Sequence, residues 1–331
     1  MCGDSQRFLS LYFRYCDMTN PSALSNSLAR LLTEQRQPAS MDLDLRSTEG
    51  ILRLLNWQDK LVPIAVEREI PYILHAVEYI VDSLRRGGRL LYFGAGTSGR
   101  LGVVDASECP PTFGTDPSQV VGIIAGGRAA MFASQEGAED NEEQARKDVD
   151  AQGVNERDTV CGIAASRRTP YVVAAVARAR ELGARTIYVT TNPRSEFDLA
   201  VDVAICPEVG PEVLMGSTRM KSGTAQKLVL NMMTTTAMIK LGKVYENMMV
   251  DLQLTNQKLV ERAKRIIMTA TGVDYGTAES FLKQSNGHVK TAMVMIQANV
   301  TASEARERIQ KANGLVRLAI QPDLKEPDPD A

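Results

Sequence analysis

Two glutamates, Glu108 and Glu139, each lie shortly after a glycine-bearing turn, in a chain of 331 residues that has only two histidines. Two carboxylates tuned apart by their surroundings can supply an acid and a base to one reaction. Ahead of Glu108 the chain reads Leu90-Leu91-Tyr92-Phe93-Gly94-Ala95-Gly96-Thr97-Ser98-Gly99-Arg100. An apolar strand runs into small residues, and a helix then opens on hydroxyls. Such a turn aims backbone N–H groups and the positive end of a helix dipole at an anion. A phosphate clamp beside carboxylates points to acid–base chemistry on a phosphorylated small molecule.

The turn admits other readings. Gly94, Gly96 and Gly99 also fit the G-x-G-x-x-G spacing of dinucleotide folds, but the second strand ends in Ala125-Gly126-Gly127-Arg128, without the acid that would hold a ribose. Tight strand–helix packing is the third reading. A second strand-to-helix turn, Ala164-Ala165-Ser166-Arg167-Arg168-Thr169-Pro170, serves equally well as a helix cap or a phosphate loop. A third cluster, Gly216-Ser217-Thr218-Arg219-Met220-Lys221-Ser222-Gly223-Thr224, brings cations and hydroxyls to the mouth of a long helix. Pro110 and Pro111 are expected to stop any helix, leaving Glu108 at a fixed bend. Glu139 stands among Glu136, Asp140, Glu142 and Glu143, which by composition form an acidic outer helix face. Periodicity does not choose among these acids.

Composition excludes several classes. A net charge of −2 gives no basic footprint for nucleic acid. No apolar run approaches the roughly 20 residues of a bilayer span, and nothing addresses the chain outside the cytosol. Five scattered cysteines, at positions 2, 16, 109, 161 and 206, read as reduced thiols; Cys109 is a structural thiol or, less simply, a nucleophile. His75 and His288 are isolated, so no metal site is expected.

The elements that position these residues follow from periodicity. Helical stripes run over 48–56 and 62–84. Strands are expected at 89–93, 120–125, 159–164, 186–190 and 201–206, with helices near 134–150 and 169–182. Short continuous apolar strands alternating with helices describe a doubly wound parallel α/β sheet of five strands, whose ligands bind beyond the carboxyl ends. A long helical region is expected from 221 to 271, broken at Gly242. Beyond it, Asn286-Gly287-His288-Val289 is echoed by Asn313-Gly314-Leu315-Val316, which suggests a pair of helical hairpins. The organisation is therefore a disordered extension over 1–25, a main domain over 26–245, a helical module over 246–320 and a disordered tail over 321–331.

These motifs resemble the N-acetylmuramic acid 6-phosphate etherase family, built on the sugar isomerase (SIS) fold. The resemblance is carried by Thr33–Arg36, Gly94–Gly102, Asp105–Thr112, Glu136–Asp140, Thr190-Thr191-Asn192-Pro193 and Gly223–Lys227. It implies an SIS-type sheet with N-terminal helices and a UBA-like C-terminal module, in a cytoplasmic homodimer without metal or cofactor. It also implies lyase cleavage of the D-lactyl ether, with Glu108 as proton donor and Glu139 as base at carbon 2. The substrate-binding residues so implied are Gly96, Thr97, Ser98, Ser166, Thr169, Asn192, Ser217, Arg219 and Lys221. A cation such as Lys221 would steady developing enolate charge, and burial would raise the pKa of Glu108. Arg167 departs from the family's glycine, with backbone strain expected if the position requires positive φ. A regulator of the same fold, such as glucokinase regulatory protein, and a sugar-phosphate isomerase are the alternative functions.

Overall fold

Why the chain passes α-helices across both faces of a sheet is visible in its strands, which are mostly apolar. The structure is a computed structural model and describes residues 31–254 and 256–324. The expected N-terminal extension, and the tail beyond 324, lie outside the described residues. Among the described residues, short 3-10 turns lead into three α-helices ahead of the sheet: α1 (Thr48–Asp59), α2 (Leu61–Glu67) and α3 (Ile70–Arg85). The stripe expected as one helix over 62–84 breaks at Arg68-Glu69. There Pro71 opens α3, and the buried Glu69 carboxylate turns to accept from the Cys206 N–H at 2.7 Å and from Arg194.

Strands β1 (Leu90–Gly94), β2 (Val120–Ile124), β3 (Thr159–Ile163), β4 (Arg185–Val189) and β5 (Val203–Ile205) form one parallel sheet in the order β2-β1-β3-β4-β5. Every residue of β1 and of β3 is buried, as a strand covered on both faces requires. After β1 the chain enters α4 (Gly96–Phe113), which packs Ala106, Cys109 and Phe113 on one face with α3 and α7 (Lys221–Lys240). The other face is covered by α5 (Glu142–Ala151) and α6 (Pro170–Glu181), through Ala145, Val149, Tyr171 and Val172. The connections after β1 and β3 therefore leave in opposite directions, and the crevice between these neighbouring strand ends is where such sheets bind ligands.

Three local expectations need correction. Pro110 and Pro111 do not stop the helix: α4 runs through both to Phe113. Their missing N–H groups deprive only the carbonyls of Ala106 and Ser107 of an intrahelical partner, while Cys109 and Phe113 stay packed in the core, and Gly114 ends the helix in the left-handed region at φ 63°. The helix expected over 134–150 is shorter; an irregular connection and one 3-10 turn, Ala138–Asp140, precede α5. The long helix expected from 221 to 271 is interrupted by a hairpin, β6 (Val244–Tyr245) with β7 (Met248–Met249), which straddles residue 245.

Helices α8 (Gln257–Thr271), α9 (Tyr275–Gln284), α10 (Val289–Ala298), α11 (Ala302–Lys311) and α12 (Val316–Ile320) enclose a separate apolar cluster. The repeat is structural. Asn286 and Asn313 both take positive φ, at 55° and 50°, and each turns one helix into the next. Ala278 and Ala305 occupy matching buried positions, as do Val289 and Val316. Among the described residues no helix is long and apolar enough to cross a membrane.

Candidate active site

The first turn is built for close approach. A Cβ on Gly94 would lie 2.6 Å from the Gly99 nitrogen, and one on Gly99 would lie 2.6 Å from both the Gly94 oxygen and Ile124 Cγ1. Tight packing is thus one function of these glycines, and it seats the mouth of α4 directly on the end of β1. Gly96 takes φ 52° and is exposed, with nothing within 4 Å of the place its Cβ would occupy. Among the described residues no side chain caps α4, which leaves its first N–H groups without a capping partner there. Thr97 is half-buried. Ser98 is buried, and its Oγ donates to Gln226 Oε1 at 2.9 Å.

The second turn is fixed from behind. The carbonyl of Ala165 accepts from Thr190 Oγ1 at 2.9 Å, from Thr191 Oγ1 at 3.2 Å and from Asn192 Nδ2 at 2.9 Å. Asn192 is fully buried, and its Oδ1 accepts from the Leu32 N–H at 3.2 Å, so its side chain holds structure together and presents no surface. Ser166 and Thr169 are half-buried, and Thr169 precedes Pro170 without making a capping bond. Arg167 has no positive φ, so the expected strain is not there. Its guanidinium folds onto Asp198 at 2.9 Å and Glu196 at 3.9 Å.

The third cluster divides. The backbone N–H groups of Lys221 and Ser222 donate to the carboxylate of Glu212, at 3.0 and 2.9 Å, and Glu212 is fully buried. The mouth of α7 is therefore closed by the protein itself. Ser217 stays half-buried and Arg219 exposed, on the loop before it. Lys221 lies on the far side of α7 from the first turn: its ammonium donates to Gln58 Oε1 and to the Val209 carbonyl, both at 2.8 Å. The enolate-facing role expected for Lys221 is not met by this placement. The opposite side of α7 ties the turns together. Thr191 Oγ1 lies within hydrogen-bond distance of Ser222 Oγ at 3.0 Å, Gly223 packs beside Thr97, and Gln226 receives Ser98.

Both glutamates are exposed, and neither makes an ion pair among the described residues. The burial expected of Glu108 is thus not provided by this chain alone. Glu139 stands in the 3-10 turn on the connection after β2, whose last residue Ile124 pairs with Gly94 at the sheet's carboxyl edge. Glu108 is carried away from that edge, about 15 Å along the regular α4 from Ser98. One turn earlier Asp105 is buried, accepting from Tyr92 OH at 3.0 Å, Asn231 Nδ2 at 2.8 Å and Thr234 Oγ1 at 3.2 Å. Burial raises its pKa and these donors oppose the rise. The network fixes α4 against β1 and α7, and so aims Glu108. Cys109 is buried, and its thiol is pushed up to about 12, which leaves it protonated and no nucleophile.

Two residues escaped the sequence reading. Glu212 gave no signal, because a carboxylate nine residues before a helix matches no capping pattern. Gln226 lay inside a motif noted for its resemblance; it is 1% exposed, and its Nε2 is a buried donor without a partner beside the first turn. An orphaned buried donor of this kind is costly unless a ligand accepts from it.

Comparisons with known proteins show what the chain is similar to. Residues 72–180 match the glucokinase regulatory protein N-terminal SIS domain, and residues 246–314 match the C-terminal lid domain of glucokinase regulatory protein. The chain is 61% identical over 307 residues to N-acetylmuramic acid 6-phosphate etherase of Salinibacter ruber, covering 92% of this chain and 99% of that relative. The corresponding etherase of Geobacillus sp. is 53% identical over 294 residues, covering 89% and 100%. A solved structure from Bacteroides fragilis, described as a phosphosugar isomerase involved in capsule formation, covers 58% of this chain and 90% of that one, at 23% identity and a TM-score of 0.42.

Proposed function

The chain belongs to the N-acetylmuramic acid 6-phosphate etherase family, and from that premise we propose that its active site is shared between two subunits of a cytoplasmic homodimer. The protein is a carbon–oxygen lyase that cleaves the D-lactyl ether of N-acetylmuramic acid 6-phosphate, giving N-acetylglucosamine 6-phosphate and D-lactate. The phosphate sits at the open mouth of α4, on Gly96, Thr97 and Ser98, with Ser166, Thr169, Ser217 and Arg219 around the sugar. In the open-chain aldehyde the proton on carbon 2 is acidic, and Glu139 removes it. The electron pair forms the carbon 2–carbon 3 double bond as the carbon 3–oxygen bond breaks. Glu108 gives its proton to the departing lactate oxygen, and water then adds across the double bond. Each carboxylate is worth about 10²–10⁴ in rate.

One observation carries the sharing. Because α4 is regular through its prolines, Glu108 of one chain stands too far from the phosphate turn for a single hexose phosphate, while Glu139 stays at the turn's edge of the sheet. A second copy brings its own Glu108 to the turn and supplies the burial this side chain lacks alone. The test is complementation. Glu108→Gln and Glu139→Gln homodimers should each release no lactate, whereas refolded mixtures should recover about a quarter of wild-type activity, since half the dimers carry one intact site. A mixture as inactive as its parents would overturn the shared site.

A further inference from the structure

Lys221 presents an unsolved charge. The side chain is 1% exposed, its ammonium is bonded only to two neutral oxygens, and no carboxylate lies within ion-pair distance among the described residues. Burial lowers its pKa, and the fields of Glu212 and Asp59 offset only part of that. A buried cation without a counter-ion is ordinarily costly, and proteins retain one where something supplies the missing charge. Here the ammonium lines a cleft of about 420 Å³ between α2 and the segment Glu208–Gly210. Arg68, exposed and free of ion pairs among the described residues, stands at the same cleft, with Glu208 as the only acid among its lining groups. Trp57, Leu61 and Ile64 form the apolar wall, and these large side chains are 52%, 41% and 49% exposed.

We propose that this cleft is a second binding site, distinct from the sugar-phosphate turns, for a small organic anion with an apolar body. The anionic head sits between Lys221 and Arg68, where it completes the ammonium's third hydrogen bond. The body lies against Trp57, Leu61 and Ile64. Gln58 sets the register, since its Oε1 holds Lys221 while also accepting from Gln37 Nε2 at 3.2 Å. The ligand would thereby lock the N-terminal helices onto the base of α7, whose other side supports the first turn. The inference stands on Lys221 and its cleft alone, independent of how the two glutamates are shared.

The chain contains a single tryptophan, so intrinsic fluorescence reports this wall without labelling. Three probes separate head from body: benzoate carries both, inorganic phosphate only the charge, and benzamide only the ring. Benzoate should change Trp57 emission saturably, phosphate more weakly, and benzamide not at all. Arg68→Ala should weaken benzoate by about tenfold, the worth of one charge-assisted hydrogen bond. Lys221→Met should abolish the response. Should that variant fail to fold, Arg68→Glu, at an exposed position, must abolish it instead. Equal responses to benzoate and benzamide, or benzoate binding unchanged by the Arg68 variants, would overturn the proposal. So would Trp57 emission that depends on protein concentration but not on benzoate, which would make the cleft a contact between copies.

Discussion

The mouths of α4 and α7 begin from similar residues, small and hydroxyl-bearing, and end in opposite states. At α4 no side chain takes the first N–H groups, and the exposed Gly96 leaves the space before them clear. At α7 the same groups are bonded to the fully buried Glu212. One helix dipole is left uncapped among the described residues, where the proposed substrate phosphate would sit, and the other is satisfied internally so that its helix can serve as a rigid brace. Thr97, Ser98 and Thr191 all lean on that brace through Gly223, Gln226 and Ser222. An anion-binding composition is therefore not an anion-binding site until its N–H groups are shown to be unclaimed.

Closing the open mouth should have the largest effect. Thr97→Asp places a carboxylate at the phosphate position proposed above, and kcat/KM for lactate release should fall about 100-fold or more, roughly 2.7 kcal/mol. The melting temperature should hold or rise, since an acid suits that helix end; unfolding of the variant would break the comparison. Opening the closed mouth is the converse. Glu212→Gln should cost about 2 kcal/mol of stability in denaturant titration, while kcat/KM per folded molecule changes little. A large loss of activity without loss of stability would make Glu212 a substrate residue.

Smaller changes sharpen the contrast. Gln226→Leu removes the support of Ser98 and the orphaned Nε2 donor, so KM should rise about fivefold, near 1 kcal/mol, with kcat nearly kept. A third helix start, that of α10, carries His288, a half-exposed ring whose pKa is lowered from the ordinary 6.5 by partial desolvation and the nearby cations Lys290, Arg306 and Lys243, against the opposing pull of Asp251. The unfolded chain then binds this proton more readily than the folded one. Stability should be full above that ordinary value and decline as pH falls through the lowered one. His288→Gln should flatten the decline only slightly, the smallest of these effects, because solvent screens a half-exposed ring.

Much of the sheet was legible because parallel strands buried on both faces are mostly apolar, as Leu90–Gly94 and Val160–Ile163 are. The Asn-Gly repeat was legible because Asn286 and Asn313 tolerate the left-handed backbone the helix junctions need. The prolines misled because two missing N–H groups free only the carbonyls of Ala106 and Ser107, a cost offset by the burial of Cys109 and Phe113 against α3 and α7. Lys221 misled because two residues of helix rotate a side chain to the far face, and composition carries no such phase.

Residue order alone determined the strand–helix alternation, the first turn's readiness for an anion and the family, since these depend on neighbours along the chain. Only the tertiary structure decided which helix mouth stays open, where the Lys221 ammonium goes and how far Glu108 stands from the turn. Each of those depends on a partner distant in sequence: Glu212 for α7, Gln58 for Lys221, and the Tyr92–Asp105–Asn231 network for α4. Hydrogen bonds and burial act over a few ångströms of space, and no local pattern records which remote residue will occupy that space.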